Sequence, residues 1–312
     1  MNTLQESLQD YTALRRNLGY KMQSESLVLP KFVEFMNMHQ ASHITTRLAL
    51  EWAQKPSVQP AEWARRLCFV RGFARYRSAT DALTEIPPLE LLPYRSTRAI
   101  PYLYSEEEIQ RLLAAALQLP TAWPSTPLRP LVYHCLFGLL SVTGMRFSEA
   151  LDLKIDDIDL EHSVLTIRAP KLGRTRLIPI HSSTLAVLSG YLERRRQFFD
   201  RPISPFVFVS RCGTRLDGGR VHRAFYTLSR SVGLRKQGES KGPRLHDFRH
   251  RFAVQVLMRW YQSGEDPARL LPILSTYLGH ICLYETYWYL SSWPELMSQA
   301  MARLEQRWGD PS

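Results

Sequence analysis

No stretch of the 312 residues stays apolar for the roughly 18 positions that a membrane-spanning helix needs. That excludes a helical membrane span, and no membrane partner is expected. The opening residues, "MNTLQESLQDYTALRRNLGY", lack the apolar centre of a signal peptide. Cysteine is scarce. Cys68, Cys135, Cys212 and Cys282 are scattered, and no C-x-x-C pair occurs. This argues against a disulfide framework and a zinc ribbon, and points to reduced thiols in the cytoplasm. Acidic residues are in deficit, 29 against 40 Lys and Arg, for a formal charge of +11. Such a balance points to a polyanionic partner, with nucleic acid first and anionic membrane second. A generally basic soluble protein is the plainer alternative. Internal repeats and low-complexity tracts are also absent. What is present is a 45% hydrophobic composition, enough for a core and, at this length, for two domains.

Residues 1 to about 85 show apolar spacing of three to four, the mark of amphipathic helices. The segment "PAEWARRLCFVRGFARYRSA" mixes core residues with Arg65, Arg66, Arg71 and Arg75. A solvated basic face is one reading and phosphate contact the other. Four prolines in "EIPPLELLPYRSTRAIPYLYS" then mark a connection. We therefore expect domains over 1–90 and 101–312, with a linker over 91–100. Ser105 and Glu108 form a capping-box pattern at the start of a helix. "PLVYHCLFGLLSVTG" reads as a buried helix stopped by Gly144. "HSVLTIRA" and "TRLIPIHS" read as a hairpin with its tip at Lys171 to Arg174. "PFVFVS" reads as a short buried strand, and helices fill most of the remainder.

The stretch "RLHDFRHRFA", residues 244–253, packs two Arg, two His and an Asp into its first seven positions, at the mouth of an apolar helix. Three readings compete. Polar residues are common at helix starts, and Asp247 there complements the helix dipole. His246 and His250 stand at i and i+4, a zinc spacing. However, the expected Glu is Asp247, and Arg249 between the histidines opposes a cation, so no metal is expected. In the third reading, His246 and Arg249 at i and i+3 share one face and grip an anion.

Three other segments favour the third reading. In "TGMRFSEALDL", Arg146 sits at a turn between apolar helices, with Glu149 placed to brace it. "APKLGRTRLIPI" carries Lys171 at the hairpin tip, with Arg174 and Arg176 close by. "YLGHICLYETYWYL" offers His280 and then Tyr284, Tyr287 and Tyr289. Together they match a chemistry on a phosphodiester. Arg146 and Arg249 can clamp the non-bridging oxygens, and His246 and His280 can add hydrogen bonds. A tyrosine hydroxyl can attack phosphorus, and Lys171 can protonate the leaving oxygen. A free tyrosine is only about one part in a thousand ionised at neutral pH, so it needs a base or a cationic pocket. No cofactor is required.

This ordered set resembles the tyrosine recombinase (phage integrase) family. "TGMRFSEAL" is similar to that family's first arginine box, and "KLGRTRLIP" to its hairpin lysine. "HDFRHRFA" is similar to its His-x-x-Arg box. "LGH" followed nine residues later by Tyr is similar to its last histidine and nucleophile. The resemblance spans residues 101–295 most clearly and 1–95 more loosely. It implies catalytic roles for Arg146, Lys171, His246, Arg249, His280 and Tyr289, supported by Glu149 and Asp247. It implies a mainly α fold with a small antiparallel β-sheet. A helical DNA core-binding domain would precede a mixed α/β catalytic domain. Arg65, Arg66, Arg71, Arg75, Arg174 and Arg176 would contact DNA. The implied reaction is site-specific recombination through a 3′-phosphotyrosyl intermediate and a Holliday junction. It would be carried out by a homo-tetramer on two sites, with accessory recombination proteins, and would serve a mobile element.

Some alternatives stay open. Tyr289 has the family spacing, Tyr287 is the next candidate, and Tyr284 reads as packing. Residues 296–312 carry a helical apolar spacing that fits self-packing or docking into a neighbouring subunit. A DNA-binding protein without strand exchange, a type IB topoisomerase and a zinc peptidase are the competing functions.

Overall fold

The computed structural model describes residues 3–55, 60–93, 100–120, 128–168, 175–199, 203–239, 242–291, 296–298, 301–302 and 305. The chain divides into two compact units, Met1–Ala99 and Ile100–Ser312.

The first unit holds four described helices: α1 (Leu4–Asn17), α2 (Glu25–Met38), α3 (Thr46–Gln54) and α4 (Pro60–Arg77). Thr3 and Glu6 cap α1 reciprocally, at 3.2 and 2.8 Å. The capping satisfies amide groups that have no partner inside the helix. Apolar residues at helical spacing turn inward. Leu67, Val70, Phe73 and Ala74 of α4 meet Phe32, Val33 and Met36 of α2 in one buried cluster. Full burial of each such Phe is worth about 1.5–3 kcal/mol. Leu92, inside the span expected to be linker, packs in this same core.

The second unit begins with α5 (Glu106–Leu117), α6 (Leu128–Thr143) and α7 (Phe147–Asp152). The Ser105–Glu108 box caps α5 as the sequence suggests, at 3.1 and 2.8 Å. Helix α6 stops at Gly144, whose φ of +61° favours a residue without a Cβ. Strands β1 (Ile158–Asp159), β2 (Val164–Ile167) and β3 (Arg176–Pro179) form one antiparallel sheet in that order. Val164 pairs with Pro179 and Ile167 with Arg176, which fixes the register of the expected hairpin. Its tip, including Lys171 and Arg174, lies outside the described residues.

One expectation fails. In "PFVFVS" Val207, Phe208 and Val209 are buried, but the run forms no strand ladder. Phe206 bridges Lys154 and Val209 bridges Arg215, each as an isolated pair. The β-rich run takes single contacts on two sides instead of one continuous partner. Apolar content alone cannot distinguish these outcomes.

Helices α8 (Ser182–Phe198) and α9 (Gly218–Ser231) complete the main core with α5 and α6. A second apolar cluster gathers α10 (Asp247–Gln262), α11 (Pro267–Leu278) and α12 (Tyr284–Ser291). It contains Ala253, Leu257, Leu271, Leu278, Tyr289 and Leu296. Among the described residues, no helix is long and apolar enough to cross a membrane.

Candidate active site

Among the described residues, Arg146, Glu149, Arg249 and His280 come together where α6 and α11 end and α7 and α10 begin. Carbonyls at a helix C-terminus lack internal partners and carry partial negative charge. The arginines occupy these positions. Arg249, 2% exposed, donates to Gly144 O at 2.9 Å and Leu278 O at 2.6 Å. Arg146 donates to the next carbonyl, Gly279 O, at 2.6 Å. The two guanidiniums therefore sit on consecutive carbonyls at the end of α11. Burial and the nearby Arg146 push the Arg249 pKa down to about 10, which leaves it cationic at neutral pH.

Glu149 balances part of this charge. Its carboxylate accepts from the Arg146 backbone at 2.7 Å and from the Arg146 guanidinium at 3.0 Å. It also takes both ends of the Arg176 fork, at 3.0 and 2.6 Å. Burial favours the neutral acid, but bonding to Arg176 and Arg146 outweighs it and lowers the pKa. Arg176 also donates to Tyr277 O at 2.8 Å. The residue expected to contact DNA is thus engaged within the protein. Its side chain is only 10% exposed and its donors are turned inward.

His246 stands at the entrance of α10 on the solvent side. Desolvation, together with the charge of Arg249, Arg244 and Arg146, pushes its pKa down to about 4. Asp247 is buried and accepts from Arg244 through its backbone at 2.8 Å and its side chain at 2.9 Å. It thereby closes the first turn of α10.

The tyrosines separate by burial. Tyr289 is 2% exposed, whereas Tyr287 is 48% and Tyr284 is 78% exposed. The packing expected of Tyr284 is therefore not found, because it lies on the outward face of α12. The Tyr289 hydroxyl lies 3.2 Å from His250 Nδ1. Its ring stacks on His280 at 6.3 Å between centroids. His280 Nδ1 bonds the Thr286 hydroxyl at 2.7 Å. A cavity of about 430 Å³ lies beside α6 and α9, but none of the catalytic candidates lines it.

The arginines expected to touch DNA on α4 divide in the same way. Arg65 pairs with Glu62 at 2.6 Å. Arg66 donates to Trp52 O at 2.9 Å and lies over the Trp52 ring. Arg71 holds Pro87 O and Pro88 O at 2.7 and 2.6 Å. Much of this basic face is therefore internal bracing, while Arg75 is exposed.

Residues 103–293 match the phage integrase family. The chain belongs to that family of tyrosine recombinases. A protein of Sinorhizobium fredii (strain NBRC 101917 / NGR234) named integrase/recombinase y4rB is 54% identical over 99% of both chains. A second protein of that strain, named integrase/recombinase y4rE, is 32% identical over 96% of this chain and 95% of its own. The fold resembles a crystal structure of the XerH site-specific recombinase on palindromic difH substrate. There the TM-score is 0.68 and the identity 19%, covering 97% of this chain and 85% of that one.

Within this integrase-family site, the sequence reading underrated two groups. From the sequence, His250 reads as a residue that packs or hydrogen-bonds behind the site, and its ring nitrogen meets the Tyr289 hydroxyl itself. Thr286, buried and bonded to His280, was not singled out at all. The signal for His250 was its place directly after the His-x-x-Arg box, one turn after His246. For Thr286 the sequence carried none.

Proposed function

We propose that the chain cuts and rejoins double-stranded DNA at specific sites with Tyr289 as nucleophile. Arg146 and Arg249 clamp the scissile phosphate, and His246 and His280 add hydrogen bonds to it. Lys171 protonates the leaving 5′-oxygen. Glu149 and Asp247 hold the clamp in place. The observation that carries this reading is the pair of guanidiniums on consecutive carbonyls, Leu278 O and Gly279 O. They form a fixed cationic seat next to a buried tyrosine. Preorganised charge of this kind stabilises a phosphorane without reorganising during the reaction.

Each cut leaves a 3′-phosphotyrosine and a free 5′-hydroxyl. Attack by the partner duplex's 5′-hydroxyl makes a Holliday junction, and a second pair of subunits resolves it. The working form is a homo-tetramer on two sites in the cytoplasm, assisted by accessory recombination proteins. The event serves a mobile element. The first unit adds DNA contacts, with Arg75 foremost.

Covalent trapping tests the reading. Wild type, Tyr289→Phe and Tyr287→Phe are mixed with nicked DNA from the gene's own flanks, with EDTA present. An SDS-stable adduct lost only in Tyr289→Phe is expected. Loss only in Tyr287→Phe moves the nucleophile by two residues. DNA binding without an adduct in any form favours a binding protein over a recombinase.

A further inference from the structure

Tyr289 lies in the apolar cluster of α10, α11 and α12, almost wholly shielded from water. A phenol there cannot lose its proton to bulk solvent without a carrier. Three histidines lie near it, and the geometry separates them. His280 faces the ring by stacking, and its Nδ1 is engaged by Thr286. His246 is in the arginine field at the solvent side, where holding an extra proton is unfavourable. His250 meets the phenolic oxygen itself, its Nδ1 lying 3.2 Å from the hydroxyl, and is 4% exposed. It follows Arg249 directly and lies one helical turn beyond His246, with the two rings edge-on at 4.6 Å. The Trp288 ring lies 5.4 Å from that of His250, centroid to centroid.

We propose that His250 is the general base that accepts the Tyr289 proton during strand cleavage. The inference rests on the reading of Tyr289 as nucleophile. The histidine starts neutral with its proton on Nε2, so that Nδ1 accepts from the hydroxyl. As the Tyr289 Oη–phosphorus bond forms, the Oη–H bond breaks and the proton moves to Nδ1. The phosphorus–O5′ bond breaks, its electron pair stays on O5′, and Lys171 supplies the proton there. On resealing, His250 returns its proton to Tyr289. The competing account is that the cationic pocket alone ionises the tyrosine and His250 only packs.

His250→Asn separates the two, because its amide keeps a hydrogen-bonding group near the Nδ1 position but cannot carry a proton. The full chain and a nicked DNA site are used, with single-turnover cleavage as the readout. His250→Asn is expected to bind DNA as wild type does and to cleave about 100-fold more slowly, within the usual range for losing a general base. Placing 3,5-difluorotyrosine, a more acidic phenol, at position 289 should restore at least tenfold of that loss. Cleavage within about threefold of wild type, or a loss that the fluorinated residue does not restore, overturns the proposal. A second measurement needs no change at His250. Difluorotyrosine at 289 in the otherwise wild-type chain should leave the midpoint of the pH–rate profile in place. A midpoint that follows the phenol downward overturns it. Tyr289→Phe is the control. An adduct that survives it sinks the nucleophile assignment as well, whereas an adduct lost there with normal His250→Asn rates removes only the base.

Discussion

Arg176 presents both ends of its guanidinium to the two carboxylate oxygens of Glu149, at 3.0 and 2.6 Å. Both side chains are 10% exposed. The same carboxylate holds Arg146, so one acid orients two cations. Planar bidentate pairing of this kind fixes direction as well as distance.

Removing that carboxylate should destabilise the second unit. Glu149→Gln leaves two guanidiniums without their counter-charge, at a cost of about 3–5 kcal/mol for a broken buried pair. Urea unfolding at pH 7 measures it. The pH dependence has a definite sign. The folded pKa of Glu149 lies below its ordinary 4.5, so the contribution is complete above about pH 4.5 and is lost as pH falls below it. The Glu149→Gln stability curve should be flatter than wild type in that acidic window.

Gly279→Ala should harm cleavage more than folding. The residue has a φ of +67°, and a Cβ would lie 2.8 Å from Arg176 Nη1 and 3.3 Å from Arg146 Nη1. The backbone strain costs about 1–2 kcal/mol. The arginine tips are held by Glu149 and by Gly279 O itself, so moving them disturbs the phosphate seat. A modest drop in melting temperature with a cleavage loss of at least tenfold is expected. Equal small effects on both would sink the idea.

DNA binding should take up protons through His246. Its DNA-free pKa of about 4 reflects desolvation and the surrounding arginine charge. A bound phosphate cancels part of that charge and raises the pKa. A group whose pKa is higher in the bound state strengthens binding as pH falls, here from about 7 toward 4. Calorimetry in buffers of different ionisation enthalpy should detect this uptake between pH 5 and 7. His246→Asn should abolish it.

Two arginines on α4 should behave differently. Arg75→Ala should weaken DNA binding and reduce its salt slope by about one unit, the mark of one phosphate contact. Arg71→Ala should leave the salt slope unchanged and lower thermal stability, because it frees two carbonyls at Pro87 and Pro88. Titrations at several salt concentrations distinguish the two.

The sequence by itself determined the local elements. Three-to-four spacing marked the helices, Ser105 with Glu108 marked the start of α5, and Gly144 marked the end of α6. The order of Arg146, His246, Arg249, His280 and Tyr289 carried the chemistry. These signals are legible because each depends on residues within a turn or two of one another, or on a motif. Tertiary structure alone decided where each donor points. Arg176 and Arg71 are basic residues on amphipathic elements, indistinguishable in sequence from Arg75. Only the positions of Glu149 and of the Pro87 and Pro88 carbonyls turn them inward. Tyr284, Tyr287 and Tyr289 share one short helix, and only its packing against α10 and α11 buries the last of them. The His250 contact with Tyr289 joins residues 39 apart. Helical periodicity assigns a face to each residue but cannot say which atom of another helix meets it. That depends on where both helices end and how they pack.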